Sequence, residues 1–167
     1  KIPDKIWAYF KTEKFFGLVI PKVYGGLGFS AYGHSTIVSL LASRSLSVAF
    51  SMMVPNSLVP AELLLHYGTD EQKNKYLSKL AFGEEIPCFA LTSREAGSDA
   101  SSMVDNGVVC YEEYDGKKTL GIKLNFEKRY ITLASIATLL GLAFKLYDPD
   151  HLIGDKEYVG ISLCLIS

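Results

Sequence analysis

Ile86-Pro-Cys-Phe-Ala-Leu-Thr-Ser-Arg-Glu-Ala-Gly-Ser-Asp-Ala100 is the segment that decides how this chain is interpreted. From Pro87 to Thr92 it is uncharged and combines β-formers with small residues, a pattern that predicts a strand. Beyond Thr92, glycine and serine indicate a turn, in which Gly97 can adopt a positive φ without a steric penalty. Consecutive N–H groups in such a turn form an anion-binding concavity, to which short hydroxyl side chains contribute. The segment therefore fits the edge of a cofactor site, although a strand followed by a capped loop explains it as well.

Three further segments carry distinctive motifs: Ile20-Pro-Lys-Val-Tyr-Gly-Gly-Leu-Gly28, Gly68-Thr-Asp-Glu-Gln-Lys73 and Lys128-Arg-Tyr-Ile-Thr132. Together with Thr92-Ser-Arg-Glu-Ala-Gly-Ser-Asp99, they stand in the order of motifs in the acyl-CoA dehydrogenase family, which the chain resembles over nearly its whole length. The family's versions are Ile-Pro-x-x-Tyr-Gly-Gly-x-Gly, Gly-Thr-x-Glu-Gln-Lys, Thr-Glu-Pro-x-Ala-Gly-Ser-Asp and Lys-x-Trp-Ile-Thr. Within the family, the chain is most similar to the large bacterial fatty acyl-CoA dehydrogenase of β-oxidation.

Local patterns predict helices in the first half of the chain and strands in the second half. Thr69 and Gln72 have the spacing of a capping box, and apolar residues at helical spacing continue to about Gly83. Farther on, Asp115-Gly116 stands between two runs of β-formers and is a strong hairpin signal. Helices followed by antiparallel strands indicate an α+β organisation.

Several boundaries are marked less sharply by the residues themselves. The first helix starts around Pro3 and is expected to end near Gly17. Gly121 is a candidate β-bulge in the return strand of the hairpin. Residues 131–146 are interpreted as one or two strands, and residues 159–166 as the last one.

The resemblance implies an N-terminal all-helical domain over residues 1–83 and an antiparallel, β-barrel-like middle domain over residues 84–167. A C-terminal helical domain follows in the family and is absent here, so we expect the chain to be a fragment of a longer protein. The family's catalytic glutamate lies in that absent domain. No catalytic residue is therefore assigned to this chain, and the fragment alone is expected to be inactive.

The resemblance also implies an FAD-dependent enzyme that removes hydrogens from Cα and Cβ of a fatty acyl-CoA thioester. In such enzymes a glutamate takes the α-proton while the β-hydrogen leaves as hydride to flavin N5, and fixed donors at the thioester oxygen stabilise the enolate. An electron-transfer flavoprotein as acceptor, a homo-oligomer and a cytoplasmic location are implied for the intact protein. Membrane association of that protein is left open.

The first motif supplies most of the candidate cofactor-binding residues. Phe89, Leu91 and Thr92 match the strand that meets the pyrimidine edge of the flavin, where main-chain amides and the threonine hydroxyl would donate hydrogen bonds. Gly97 and Ser98 match the turn that approaches the pyrophosphate of FAD. Ser98 is also the candidate substrate-binding residue, because its counterpart lies close to the thioester.

The second motif adds Tyr130 and Thr132, which match the family's tryptophan and threonine. The aromatic ring would shield one flavin face, and the hydroxyl would bond N5. The chain departs from the family where Glu-Pro becomes Ser93-Arg94, where tryptophan becomes Tyr130 and where asparagine becomes Leu133. These departures remove no hydroxyl or glycine that the site needs.

Charge, cysteines and hydropathy limit the other function classes. Like charges repel, so Asp99 is expected to cap a turn or pair with Arg94 rather than bind phosphate. The net charge of -1 gives no argument for nucleic acid as a partner. Cys88, Cys110 and Cys164 are odd in number and lack C-x-x-C spacing, so neither a disulfide framework nor a zinc site is indicated. No uncharged run forms a convincing transmembrane helix of about 20 residues.

Two motif matches are rejected, and two alternative functions stay open. Gly26, Gly28 and Ala31 match G-x-G-x-x-A, but the flanking strand and the acidic residue of a nicotinamide site are missing. Ser98 does not lie in the G-x-S-x-G motif of a serine hydrolase. An acyl-CoA oxidase-like flavoprotein remains an alternative, as does a non-catalytic binding or scaffold module on the same fold.

Overall fold

The computed structural model describes residues 2–57 and 60–167. Within these ranges, helices precede strands along the chain, which confirms the predicted α+β fold class. The helices are α1 (Asp4–Thr12), α2 (Ala31–Ala42), α3 (Leu46–Met53), α4 (Pro60–Tyr67) and α5 (Asp70–Ala81). The strands are β1 (Pro87–Ala90), β2 (Asn106–Tyr114), β3 (Lys117–Asn125), β4 (Leu139–Tyr147) and β5 (Tyr158–Ile166).

Several helices begin at side chains that accept hydrogen bonds from the first turn. The predicted capping box is confirmed: Thr69 accepts from the Gln72 amide at 3.2 Å, and the Gln72 side chain accepts from the Thr69 amide at 3.0 Å. Ser30 and Ser45 cap α2 and α3 through their hydroxyl oxygens. Such caps stabilise a helix by about 0.5–2 kcal/mol relative to alanine.

The first helix is shorter than predicted. It ends at Thr12, because Lys14 adopts the left-handed conformation with φ 58°, and a separate 3₁₀ turn follows at Phe15–Gly17. A left-handed residue cannot continue a right-handed helix. The apolar spacing beyond Thr12 therefore marks residues that face the core from a turn and not from a longer helix.

The chain divides into two compact units, which we call the helical unit (residues 1–89, 132–141 and 167) and the sheet unit (residues 90–131 and 142–166). In the helical unit, Phe10, Phe16, Met52 and Ile86 form a buried cluster. The domain boundary after Gly83 remains a prediction.

A buried amide joins three segments of the helical unit. Asn56 is 2% exposed, and its Nδ2 donates to the carbonyl oxygens of Phe15 at 2.7 Å and Met52 at 2.9 Å. Its Oδ1 accepts from the amide of Val19 at 3.3 Å. Both functional groups of the side chain are thereby satisfied, as a buried polar group requires.

The β2–β3 hairpin forms as its turn residues predict. Asp115 and Gly116 both have positive φ, at 52° and 70°, as a two-residue turn of this kind demands. The register runs without interruption from Asn106↔Asn125 to Tyr114↔Lys117 and pairs Cys110 with Gly121. The predicted bulge at Gly121 is therefore wrong.

The sheet is mixed, so the antiparallel part of the fold prediction is corrected. Its strand order is β1-β4-β2-β3, with β5 pairing with β4. Strand β2 pairs with β3 antiparallel but with β4 parallel, through Asn106↔Lys145 and Tyr147↔Val108. Hairpin signals are local and predict the antiparallel contact, whereas a parallel contact needs a longer crossover that leaves no local signal.

The interval predicted as one or two strands contains a single strand, β4, which begins only at Leu139. Before it, Tyr130 and Leu133 have φ values of 57° and 68°, which are incompatible with an extended strand. Strand β5 is found where the last strand was predicted. No helix in the described parts of the chain is long and apolar enough to cross a membrane.

Candidate functional site

The loop after β1 carries the first motif. Leu91 and Thr92 are half-buried, and the Ser93 amide donates to the Ala96 carbonyl at 3.0 Å, which closes a tight turn. Gly97 follows on the exposed side of this turn, but it does not use a positive φ. A Cβ built on Gly97 would meet nothing within 4 Å, so this main-chain surface is open to a ligand.

The structure brings the first and second motifs together. Ser93 and Lys128 form an isolated antiparallel bridge, and the Arg129 amide donates to the Thr92 carbonyl at 3.1 Å. The Arg129 guanidinium also donates to the Arg94 carbonyl at 2.9 Å. Sequence reasoning identified both motifs but did not predict this pairing, which joins residues 35 or more positions apart.

A buried ion pair lies beneath the junction of the motifs. Lys128 Nζ is 2.6 Å from Asp105 Oδ2, and the two side chains are 4% and 2% exposed. Lys128 Nζ also donates to the Leu91 carbonyl at 3.0 Å, while Asp105 Oδ1 accepts from the Glu127 amide at 2.8 Å. Sequence reasoning missed Asp105, because no motif surrounds it; the available signal was the lysine that opens the second motif.

Asp105 is held as a carboxylate. Burial raises its pKa, but the hydrogen bonds from Lys128 and Glu127 together with the Lys128 charge outweigh burial, and the pKa lies below its usual value. The Ser93 hydroxyl contributes to lowering this pKa, although its buried Oγ has no regular hydrogen-bond partner among the described residues. The Asp105 carboxyl is therefore ionised at neutral pH.

Tyr130 presents its ring to solvent from a strained backbone. The residue is 84% exposed and has φ 57°, a region that aromatic residues rarely occupy. The Arg129 guanidinium lies over the ring, 5.2 Å from its centroid, a cation–π arrangement. One face of the ring is thus supported by Arg129, and the exposure leaves aromatic surface available for stacking on a planar ligand.

Comparisons with known proteins identify the family of this chain. The family model described as "Acyl-CoA dehydrogenase, N-terminal domain" matches residues 1–84, half of the chain. The chain belongs to the acyl-CoA dehydrogenase family. It is 36% identical over 137 residues to a 3-(aryl)acrylate reductase of Clostridium sporogenes, covering 82% of this chain and 34% of that relative.

Solved acyl-CoA dehydrogenases have the same fold. The enzyme from Geobacillus kaustophilus superimposes with a TM-score of 0.77 at 27% identity, covering 99% of this chain and 40% of that one. An acyl-CoA dehydrogenase from Bacillus anthracis, solved in complex with FAD, gives a TM-score of 0.70 at 26% identity over 83% of this chain and 23% of that one. The chain therefore spans well under half the length of these relatives.

The predicted site residues of this acyl-CoA dehydrogenase chain are divided between the units. Leu91, Thr92, Gly97, Ser98 and Tyr130 belong to the sheet unit, whereas Phe89 and Thr132 belong to the helical unit. Within the helical unit, Phe89 is half-buried, and a Cβ on Gly141 would lie 3.1 Å from its ring. Thr132 is exposed. The roles of all seven residues remain predictions.

Asp99 does not behave as predicted in this member of the acyl-CoA dehydrogenase family. Its carboxylate accepts hydrogen bonds from the hydroxyls of Ser101 and Ser102, which lower its pKa. It makes no capping bond to the backbone, and no ion pair joins it to Arg94 among residues 2–57 and 60–167. Asp99 stands at the N-cap position of the 3₁₀ turn Ala100–Ser102, but it is satisfied mainly by the neighbouring hydroxyls, so the predicted ion pair is wrong and the predicted cap lacks its regular backbone bond.

The arrangement fits a flavin nucleotide as the family's cofactor. A planar ring system suits the exposed face of Tyr130, and a pyrophosphate suits the open main chain at Gly97 with the exposed Ser98 hydroxyl beside it. The carbonyls of Leu91 and Thr92 are both occupied by donors from the second motif. The peptide between them is therefore held in one orientation.

Proposed function

We propose that the protein containing this chain is an FAD-dependent acyl-CoA dehydrogenase, and that the sheet unit supplies part of its flavin site. The observation that carries the proposal is the bridge between Ser93 and Lys128, which joins the two motifs that the family uses for the cofactor. Family membership supports the same conclusion. When bound, FAD supplies the two-electron acceptor for the hydride that leaves the substrate.

The residues of this chain bind and orient the cofactor. The Thr92 amide and hydroxyl, with the Leu91 amide, hold the polar edge of the flavin, and the Tyr130 ring covers one of its faces. Gly97 and Ser98 receive the pyrophosphate, where the open backbone allows close approach. Phe89 and Thr132 are also proposed as cofactor-binding residues. Positioning of this kind is the part of catalysis that the protein supplies.

The substrate that we propose is a fatty acyl-CoA thioester, with Ser98 close to its thioester end. Dehydrogenation between Cα and Cβ in β-oxidation is the proposed reaction, and an electron-transfer flavoprotein is the proposed acceptor. One relative is named a 3-(aryl)acrylate reductase. That name indicates a different substrate and the reverse direction of reaction, reduction instead of dehydrogenation. The acyl group and direction must therefore be measured directly.

The catalytic base is proposed to lie outside this chain, so this chain by itself should not turn over acyl-CoA. We also propose a homo-oligomer and a cytoplasmic location for the intact protein. The three cysteines are free in the structure, which supports a reducing compartment.

An anaerobic visible spectrum of the intact protein tests the proposal. We expect a flavin band that bleaches when a long-chain acyl-CoA is added, and that does not bleach with a 3-arylpropionate, the saturated counterpart of an arylacrylate. If the 3-arylpropionate bleaches the band instead, the substrate is an aryl compound and not a fatty acyl-CoA. A colourless protein that FAD cannot reconstitute would leave the scaffold alternative.

The electron acceptor is tested on the reduced enzyme. Rapid reoxidation by an electron-transfer flavoprotein with slow reoxidation by oxygen supports a dehydrogenase. Fast reaction with oxygen supports the acyl-CoA oxidase-like alternative.

A further inference from the structure

The buried ion pair of the sheet unit connects three chain segments at the junction of the motifs. Lys128 Nζ binds Asp105 Oδ2 at 2.6 Å and the Leu91 carbonyl at 3.0 Å. Asp105 Oδ1 accepts the Glu127 amide at 2.8 Å, so the same carboxylate fixes the chain on the amino side of Lys128. Two side chains thereby connect the segments at positions 91, 105 and 127–128.

We infer that Lys128 and Asp105 are positioning residues, which orient the flavin-binding main chain and do not themselves touch flavin or substrate. The inference rests on the proposed function, because it assigns these residues a role toward the same cofactor. It extends the proposal to Asp105, which lies outside both motifs, and to the lysine side chain.

Lys128 sets the orientation of the peptide between Leu91 and Thr92. In a trans peptide the carbonyl and the following N–H point in opposite directions. The bond from Lys128 to the Leu91 carbonyl therefore directs the Thr92 N–H away from the ion pair. This N–H is one of the amides proposed to bind the polar edge of the flavin, so the lysine sets the direction of a cofactor contact without reaching the cofactor.

Lys128 also sets the spacing between the two motifs. Lys128 lies two residues before Tyr130, and Leu91 lies directly before Thr92. A single ammonium group therefore fixes the distance between the segment of the aromatic ring and the segment of the polar contacts. A displacement of about 1 Å at such a site can reduce activity by roughly 100-fold.

Stability alone does not explain a buried ion pair at this position. Removing two charges from water costs free energy that their attraction only partly recovers, and apolar residues of equal volume often replace buried pairs without loss. Apolar side chains cannot donate to the Leu91 carbonyl or accept from the Glu127 amide. The hydrogen bonds to the backbone are what an apolar replacement would lose.

The experiment separates stability from positioning in the full-length protein. We compare Lys128→Met with the double variant Lys128→Met/Asp105→Leu, and measure the melting temperature, the FAD dissociation constant and the absorption spectrum of bound flavin. The single variant leaves a buried carboxylate unpaired and should lower both stability and FAD affinity. The double variant should recover most of the stability but still bind FAD roughly 10-fold or more weakly, with a shifted flavin spectrum.

The matched control is the exposed pair of the same unit. Lys123 and Glu112 are 3.7 Å apart with side chains 75% and 67% exposed. The variant Lys123→Met/Glu112→Leu should leave the melting temperature, the FAD affinity and the flavin spectrum unchanged.

Each outcome decides the inference. If the double variant recovers both stability and FAD affinity, the pair is only structural and the inference is wrong. If the double variant does not fold, Asp105→Asn replaces it. The amide oxygen of the asparagine still accepts from the Glu127 amide, while its amide nitrogen faces Lys128. If folded Asp105→Asn binds FAD as tightly as wild type, the inference is wrong. If wild-type protein itself binds no FAD, the proposed function fails first, which is a different result.

Discussion

Each unit contains a buried polar cluster that joins distant segments, but the two clusters use different chemistry. In the helical unit, Asn56 is neutral and bonds three main-chain groups, two of which are distant from it in sequence. In the sheet unit, Lys128 and Asp105 are charged and bond main chain at the junction of the motifs. A neutral amide is the less costly way to join segments, so the charged cluster requires a reason beyond joining them.

The two clusters differ in their surroundings. The amide cluster satisfies carbonyls that the helices leave free, and nothing in its surroundings matches a cofactor motif. The charged cluster lies where both cofactor motifs meet. Under the inferred positioning role, charge is used where the direction of a main-chain group matters to the proposed ligand.

Removal of one charged partner should produce the largest effect. Lys128→Met leaves the Asp105 carboxylate buried without its counterion, and we expect the free energy of unfolding to fall by about 3–5 kcal/mol. Urea denaturation measures this loss. Lys123→Met, the same substitution in an exposed pair, should cost less than about 1 kcal/mol. Equal losses in the two variants would contradict the distinction between buried and exposed pairs.

Removal of the neutral cluster should produce a smaller effect. Asn56→Leu keeps a similar volume but leaves the carbonyls of Phe15 and Met52 and the amide of Val19 without a partner. We expect a loss of about 1–3 kcal/mol in the free energy of unfolding. The exposed Asn74 on α5 provides the control, since Asn74→Ala should change stability by less than about 0.5 kcal/mol. FAD affinity should not change in Asn56→Leu.

Acid should distinguish the clusters by their charge. Because the folded-state pKa of Asp105 lies below the reference value of 3.8, its contribution to stability is present above that value and is lost as the pH falls through the folded-state pKa. Asp99 and Asp148 also have lowered pKa values, so the test is a difference between variants. The acid loss of unfolding free energy should be smaller in Lys128→Met/Asp105→Leu than in wild type. Asn56→Leu should show the wild-type pH dependence.

The smallest effect is expected at the hydroxyl beside the charged cluster. Ser93 is 2% exposed, and its Oγ has no regular hydrogen bond among the described residues. Ser93→Ala removes a group that gains little from burial, so we expect a change within about 0.5 kcal/mol. Thermal unfolding measures it, with Ser101→Ala as the comparison. A loss above about 1 kcal/mol would show that the hydroxyl bonds Asp105 in solution.

The features that could be predicted from sequence are those with local causes. The capping box at Thr69 and the turn at Asp115-Gly116 depend on residues within a few positions, and the structure contains both. The end of α1 was missed because a lysine, Lys14, takes the left-handed conformation that usually signals glycine or asparagine. The parallel pairing of β2 with β4 was missed because it depends on packing between distant segments.

In the candidate site, too, only features with local causes could be predicted from the sequence. The motifs at positions 92–99 and 128–132 could be recognised from their residues, but their contact could not be derived from either one alone. Asp105 lies 23 residues from Lys128 in a segment without a motif, so only the folded chain identifies it as the partner. The ion-pair prediction for Asp99 failed because Ser101 and Ser102 satisfy the carboxylate before any longer contact can form.

The backbone of Tyr130 has a consequence for the evolution of this protein. A bulky residue in the left-handed region costs about 1–3 kcal/mol, and glycine at that position would relieve it. Laboratory selection for heat resistance alone should therefore favour glycine at this position, and the aromatic ring would be lost. Keeping an aromatic side chain there would require selection for flavin retention at the same time, so the position should report which of the two pressures a population has experienced.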